Sequence, residues 1–234
     1  MAKVDQAQIA ARPRSATMYA CVNDTLEQNE CVSFGGKKPM SDADQLRWNR
    51  RYAEGSYRSR SMPSPFLEHW LGHVPAGRAL DVACGAGRNA LRLAEAGFAV
   101  DAVDISTVAL EMAGEEARRR QLTVNWQAGD LDSLAFEPGA YQLITVFRFH
   151  DPALWPRLIK ALAPDGWILV EHHLRTPLPV AGPESEAFRI APGELLDVFK
   201  ALRIVHYSEK IEEPVPGRIE ANVRVAACNG FPGW

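Results

Sequence analysis

No apolar run in this chain of 234 residues approaches the roughly eighteen needed to cross a bilayer as a helix, and no charged-then-apolar start resembles a signal peptide. A cytoplasmic chain with no membrane partner is the expectation. Cysteine is scarce: Cys21, Cys31, Cys84 and Cys228 have neither close metal-ligand spacing nor a disulfide framework, which agrees with a reducing compartment and leaves no metal site expected. No strong charge excess exists either. With 26 Lys and Arg against 29 Asp and Glu the net charge is -3, which gives no global attraction to nucleic acid. Internal repeats are absent, and 47% hydrophobic residues are enough to bury the core of a single domain.

Residues 1–40 are polar and weakly patterned and break at Gly35-Gly-Lys-Lys-Pro39, so a mobile tail is expected there, with Met40 as an alternative start. One domain is expected over 41–234. Its first helix would be capped by Ser41 or Asp42 and would carry, over 44–55, Trp48 above Tyr52 and Arg47 above Arg51. This segment either staples itself to the domain or closes over a ligand. Strand and helix then alternate. Strands are predicted at Ala79–Ala83, Ala99–Asp104, Val124–Ala128, Leu143–Phe149 and Trp167–Glu171, and helices near Arg88–Ala96, Thr107–Gln121, Pro152–Leu162 and Pro192–Leu202. Gly97, Asp132 to Pro138 and Pro164-Asp-Gly166 supply breaks. Two last strands, Ile204–Ile211 and Ala221–Ala227, flank Glu212-Glu-Pro-Val-Pro-Gly217 as a hairpin. The expected architecture is α/β, a mostly parallel sheet with helices on both faces.

The chemistry concentrates in Arg78-Ala-Leu-Asp-Val-Ala-Cys-Gly-Ala-Gly-Arg-Asn-Ala90 and Phe98-Ala-Val-Asp-Ala-Val-Asp-Ile-Ser106. These read as strand, glycine loop, helix and a second strand ending in an acid, the layout of a nucleotide-cofactor pocket. Gly85 and Gly87 permit a sharp turn and a close backbone approach, and Asp104 stands where a ribose diol needs an acceptor. By spacing alone Gly85-x-Gly87-x-x-Ala90 also fits a dinucleotide fingerprint, so an NAD(P)-dependent oxidoreductase stays open. Asp81 discriminates. A carboxylate at the end of the incoming strand suits a cofactor with an ammonium group there, as S-adenosylmethionine has, and suits a pyrophosphate poorly.

Asp81-Val-Ala-Cys-Gly-Ala-Gly-Arg88, Asp104 and Gly129-Asp130-Leu131 resemble three motifs of the class I S-adenosylmethionine-dependent methyltransferases. Within them, Gly87-Arg-Asn89, Trp48-Asn-Arg-Arg-Tyr52 and Phe188-Arg-Ile-Ala-Pro-Gly-Glu-Leu195 resemble the tellurite-resistance (TehB-like) branch, over Asp42 to Asn229. The resemblance implies a Rossmann-like seven-stranded sheet with an antiparallel C-terminal strand. It also implies S-adenosyl-L-methionine held by Asp81, Gly85, Gly87, Arg88, Asn89, Asp104, Ile105, Asp130, Leu131 and Phe147. Asp81 would face the methionine ammonium, Asp104 the ribose hydroxyls, and Asp130 the adenine amino group with Ile105 and Leu131 beside the ring.

The partner expected is a small-molecule methyl acceptor: a chalcogen oxyanion such as tellurite or selenite, or a thiol. A cofactor-binding protein without catalysis is a further alternative. Phe147-Arg148-Phe149-His150-Asp151-Pro152 departs from the Asn/Asp-Pro-Pro-Tyr/Phe motif of enzymes that methylate amino groups, which argues against such acceptors. Arg148, His150 and His172 are the candidates for anion binding or proton transfer, with Arg175 and Arg189 as further cations. His172 and His173 are strand neighbours on opposite faces, which disfavours a shared metal.

Overall fold

The computed structural model describes residues 42–56 and 61–231. The expectations for residues 1–40, for a start at Met40 and for Ser41 as a cap lie outside the described residues. In chain order the elements are α1 (Asp42–Ala53), α2 (Pro65–Leu71), β1 (Arg78–Val82), α3 (Arg88–Glu95), β2 (Ala99–Asp104), α4 (Thr107–Arg120), β3 (Val124–Ala128), β4 (Tyr141–Phe147), α5 (Trp155–Ala161), β5 (Leu162–His173), α6 (Glu194–Val198), β6 (Arg203–Val215) and β7 (Arg218–Cys228). A seven-stranded sheet has the order β3-β2-β1-β4-β5-β7-β6. All pairings are parallel except those of β7, which runs antiparallel to both β5 and β6. The expected mostly parallel sheet with one antiparallel C-terminal strand is therefore present.

The pleat sends alternate residues of each strand into two cores. On one face Ala79, Leu143, Phe147, Trp167 and Leu169 pack with Phe66, Leu67 and Trp70 of α2 and with Ala90 and Leu93 of α3. On the other, Leu80, Val82, Ile144, Val146, Ile168 and Val170 pack with Trp155 and Leu158 of α5, Leu195 of α6 and Phe199. Central strands covered on both sides bury apolar residues on both faces, and this is why β1, β4 and β5 lack an alternating pattern. By the same alternation Glu171 and His173 share the α2/α3 face, whereas His172 faces α5 and α6.

Several expected boundaries move. α2 was not anticipated: Ser64 caps it, its hydroxyl accepting from Phe66 N at 3.2 Å, and Pro65 takes the first helical position. β4 starts and ends two residues before its predicted limits. β5 runs through the Pro164-Asp-Gly166 break: its register jumps from Tyr141 opposite Leu162 to Leu143 opposite Trp167, with Asp165 left-handed at φ 57°. The predicted helix at Pro152 begins only at Trp155, and that at Pro192 shrinks to Glu194–Val198. The hairpin loop is also shorter than expected. β6 continues through Pro214 to Val215, an edge position where a missing N–H costs no ladder bond, and leaves Pro216-Gly217 as the turn.

Candidate cofactor and acceptor site

The chain leaves β1 through a tight loop with Ala83, Gly85 and Gly87 at φ 52°, 56° and 77°. Cys84 N donates to Val103 O and Gly87 N to Cys84 O, both at 3.0 Å, which folds the loop back over the end of β2. There Asp104 anchors it. One carboxylate oxygen accepts from Gly85 N at 2.7 Å and the other from Ser106 N at 2.8 Å. Asp104 is buried, against the solvated loop carboxylate that an isolated acid would be, and burial raises its pKa while these N–H donors oppose the shift. Gly85 faces the site, because a Cβ there would run into the Tyr52 hydroxyl. Gly87 instead serves packing: a Cβ would meet Trp126 at 2.6 Å and Ala113 at 2.9 Å.

Asp81, one residue before the end of β1, stands beside Thr145 of β4, whose hydroxyl donates to Asp81 Oδ1 at 2.7 Å. Its Oδ2 is buried with no hydrogen-bond partner. Burial pushes Asp81 up to about 7, against the Thr145 hydrogen bond, the charge of Arg88 and the nearby backbone N–H of Ala90, which is too poorly aligned to satisfy Oδ2. An orphaned carboxylate oxygen in a glycine-loop cleft is a costly arrangement that a cationic ligand group would relieve. The donor set therefore fits the ammonium of S-adenosylmethionine. Thr145 carries no sequence signal as part of this site, since it reads as one more residue of a buried strand.

α1 lies across the cleft. Gln45 Nε2 donates to Ile105 O at 3.1 Å, while Asn49 Oδ1 accepts from Ser106 Oγ at 2.8 Å and Val108 N at 3.3 Å. Trp48 and Tyr52 are neighbours with ring centroids 6.5 Å apart, and the Arg51 guanidinium lies 5.3 Å from the Trp48 ring. No α1 side chain is buried, so polar contacts to the β2–α4 turn do the docking. Other predicted contacts take local roles. Asn89 Oδ1 accepts from Ser64 N at 3.0 Å, Arg88 donates to Met62 O at 3.1 Å, and Asp130 Oδ1 accepts from Asp132 N at 2.9 Å. Phe147 packs edge-on to Phe66 at 6.5 Å in the core, Leu131 is buried in the opposite core, and Ile105 is buried between β2 and α1.

Two of the candidate arginines, Arg148 and Arg189, are already paired. Arg148, left-handed at φ 62°, reaches Asn222 Oδ1 at 2.6 Å, Glu220 at 3.2 Å and Glu171 at 3.4 Å. Arg224 joins Glu171 at 2.7 Å and Glu212. Arg189 donates to the carbonyls of Pro183 and Leu174, and Arg175 lies 3.7 Å from Glu186. His172 is deeply buried in β5, and its pKa is pushed down to about 2, first by burial and then by the charges of His173, His150 and Arg148. No cluster able to hold a metal occurs among the described residues, and none of their helices is long and apolar enough to cross a membrane.

Comparison with known proteins places this geometry. A family model described as a methyltransferase domain matches residues 79–166. The ubiquinone biosynthesis O-methyltransferase of Burkholderia thailandensis is 29% identical over 114 residues, 45% of this chain and 49% of the relative. The chain thus spans about half the length of the curated relatives it matches first. Among solved structures, TehB from Haemophilus influenzae superposes with a TM-score of 0.61 at 19% identity, over 77% of this chain and 66% of that one. Geranyl diphosphate C-methyltransferase from Streptomyces coelicolor A3(2), solved with S-adenosyl-L-homocysteine, gives 0.61 at 14% identity, over 82% and 100%. The fold is that of these class I enzymes, and the matched segment carries the β1–α3 loop, Asp104 and Asp130.

Proposed function

We propose, from the premise that residues 79–166 form a class I S-adenosylmethionine-dependent methyltransferase domain, that the chain binds S-adenosylmethionine and transfers its methyl group to an oxygen of a small-molecule acceptor. The observation that carries the cofactor is the orphaned Asp81 Oδ2 beside the Gly85 turn. When bound, S-adenosylmethionine supplies a methyl group on a positively charged sulfur, open to in-line displacement. Asp81 holds the ammonium, and Asp104 offers its remaining lone pairs to ribose hydroxyls. Ile105 and Leu131 wall the adenine, and Asp130 accepts from its amino group. α1 closes over the cleft through Gln45 and Asn49, which excludes water and fixes the donor's orientation. An oxygen acceptor agrees with the name O-methyltransferase carried by the curated relatives, and the pairing of Arg148, Arg189 and Arg224 with carboxylates or carbonyls disfavours an oxyanion such as tellurite.

Calorimetric titration with S-adenosylhomocysteine tests the cofactor reading. Asp81 titrates near neutrality in the ligand-free protein, so an incoming ammonium should expel its proton, and the heat at pH 6.5 should vary with the ionisation enthalpy of the buffer. Asp81→Asn abolishes that buffer dependence and weakens binding. NADH should not bind. Tight NADH binding, or no heat with S-adenosylhomocysteine, overturns the reading.

A further inference from the structure

The strand order sets β1 beside β4 where the winding of the chain reverses, so the ends of these two strands flank the crevice in which an open α/β sheet binds its ligand. Asp81 and Thr145 stand there in register on the two strands. Both are buried, Thr145 to 0% exposure and Asp81 to 2%. The Thr145 hydroxyl has two acceptors in reach, Asp81 Oδ1 at 2.7 Å and Leu80 O at 3.4 Å. A hydroxyl carries one proton, so it donates to one of them at a time, while its own lone pairs can accept. Asp81 Oδ2 has no hydrogen-bond partner among the described residues. The two carboxyl oxygens are therefore unlike: one faces a hydroxyl that can turn, and the other is left for a ligand.

We infer that Thr145 is a positioning residue of the cofactor site, a hydroxyl that turns between Leu80 O and Asp81 Oδ1 as Asp81 gives up its proton to take the cofactor ammonium. This rests on the methyltransferase reading and names what controls that site. Ionised Asp81 accepts the Thr145 proton on Oδ1 and leaves Oδ2 open to the ammonium. Protonated Asp81 has two choices. A proton on Oδ2 is a buried donor without an acceptor, which is costly. A proton on Oδ1 donates to Thr145 Oγ, and the Thr145 hydroxyl then turns its own proton to Leu80 O, whose carbonyl has two lone pairs. Each proton is paired in both states. On binding, the Oδ1–H bond breaks, the proton leaves to solvent, and the Thr145 O–H swings from Leu80 O to Oδ1. Removing the hydroxyl costs the ionised form a hydrogen bond to a charge and the protonated form only a neutral one, so the proton is then held more tightly. The other charges facing Asp81 are Arg88 of α3, which favours ionisation, and Asp104 of β2, which opposes it. The Cys84 thiol of the loop and the Tyr52 hydroxyl of α1, set against Gly85, stand nearby. Substitution of Thr145 leaves all four in place.

The test follows S-adenosylhomocysteine affinity of the full chain by calorimetry from about pH 5 to pH 9, and titrates the Asp81 carboxyl carbon by NMR in the ligand-free chain. Thr145→Val keeps the shape and removes the hydroxyl. It should raise both midpoints by about 1 pH unit, which weakens binding about tenfold at pH 6, and Thr145→Ser should bring both back. If Thr145 only filled space, Thr145→Val would move neither midpoint. The wild-type chain gives a reading that does not depend on a variant folding: the hydrogen/deuterium isotope shift of the Leu80 carbonyl carbon should be larger below the Asp81 midpoint, where Thr145 donates to it, than above. Equal midpoints in the wild type and Thr145→Val, a Thr145→Ser chain that behaves like Thr145→Val, or a Leu80 isotope shift indifferent to pH overturns the inference. Failure to bind S-adenosylhomocysteine overturns the methyltransferase reading instead, and the Asp81 and Leu80 resonances still judge Thr145.

Discussion

Asp81 sets binding against stability within one side chain. Burial raises its carboxyl pKa to about 7 in the fold against about 3.9 for an exposed aspartate, so the native state holds a proton that the unfolded chain gives up. Stability therefore falls as pH rises between those values, the reverse of a salt-bridged acid. The loss is absent below about pH 4 and complete above pH 7, at most about 4 kcal/mol. Asp81→Asn should raise the melting temperature of the ligand-free protein at pH 8, leave it unchanged at pH 4, and weaken S-adenosylhomocysteine binding; equal melting at pH 8 would remove the buried-charge argument. Gly87 has a different constraint, since both its φ of 77° and the Trp126 ring oppose a Cβ. Gly87→Ala should cost about 2–4 kcal/mol in chemical denaturation. The glycine spacing was legible in the sequence, but the division of labour between Gly85 and Gly87 was not. It depends on Trp126 and Tyr52, distant residues whose approach no local pattern encodes. The same holds for Thr145, which becomes a partner of Asp81 only through strand register.

Among the elements, β1 to β3, α3 and α4 could be read from the chain because each is bounded by its own turn chemistry: Gly87 before α3, Ser106 capping α4, left-handed Gln121 ending it. α2 escaped notice because seven residues are too few for a helical period to declare itself beside Pro63 and Pro65. The bulge at Pro164–Gly166 and the strand through Pro214 were misjudged for a related reason: proline and glycine end an element in isolation, but a neighbouring strand can carry the pairing past them. α1 was recognised as a helix, and its docking defines what it does. It buries no side chain and holds the β2–α4 turn through Gln45 and Asn49, so it should open at little cost to the rest of the fold. Asn49→Ala is expected to change the melting temperature by under about 1 kcal/mol in equivalent stability and to speed S-adenosylhomocysteine dissociation roughly tenfold, about 1.4 kcal/mol. Stopped-flow measurement decides. In the wild-type chain, hydrogen exchange of α1 amides should slow on ligand binding, and exchange indifferent to ligand would mean that α1 is a fixed staple.

For the whole molecule, these local effects combine into a linkage between cofactor, proton and fold. Asp101 of β2 ties together β1, β3 and β4, accepting from Arg78 at 2.9 Å, Asn125 at 2.7 Å and Tyr141 at 3.1 Å. Past β5, Arg148 ties the end of β4 to β7. Between these ties the cleft holds Asp81, whose charge burial disfavours. A ligand present at a hundred times its Kd adds about 2.7 kcal/mol to stability, which for a chain of this length should raise the melting temperature by roughly 5–11 °C. That gain should depend on pH. Binding the ammonium requires ionised Asp81, whose pKa in the free protein is about 7, so at pH 5 the apparent Kd should rise about a hundredfold. At the same S-adenosylhomocysteine concentration the stabilisation should then fall to about 0.4 kcal/mol, a shift of only about 1–2 °C. Asp81→Asn has no proton to lose, so its smaller ligand-induced shift should be the same at pH 5 and pH 8. Thermal scans of both proteins at the two pH values, with and without ligand, measure the coupling directly. A wild-type shift as large at pH 5 as at pH 8 would place the ammonium somewhere other than Asp81.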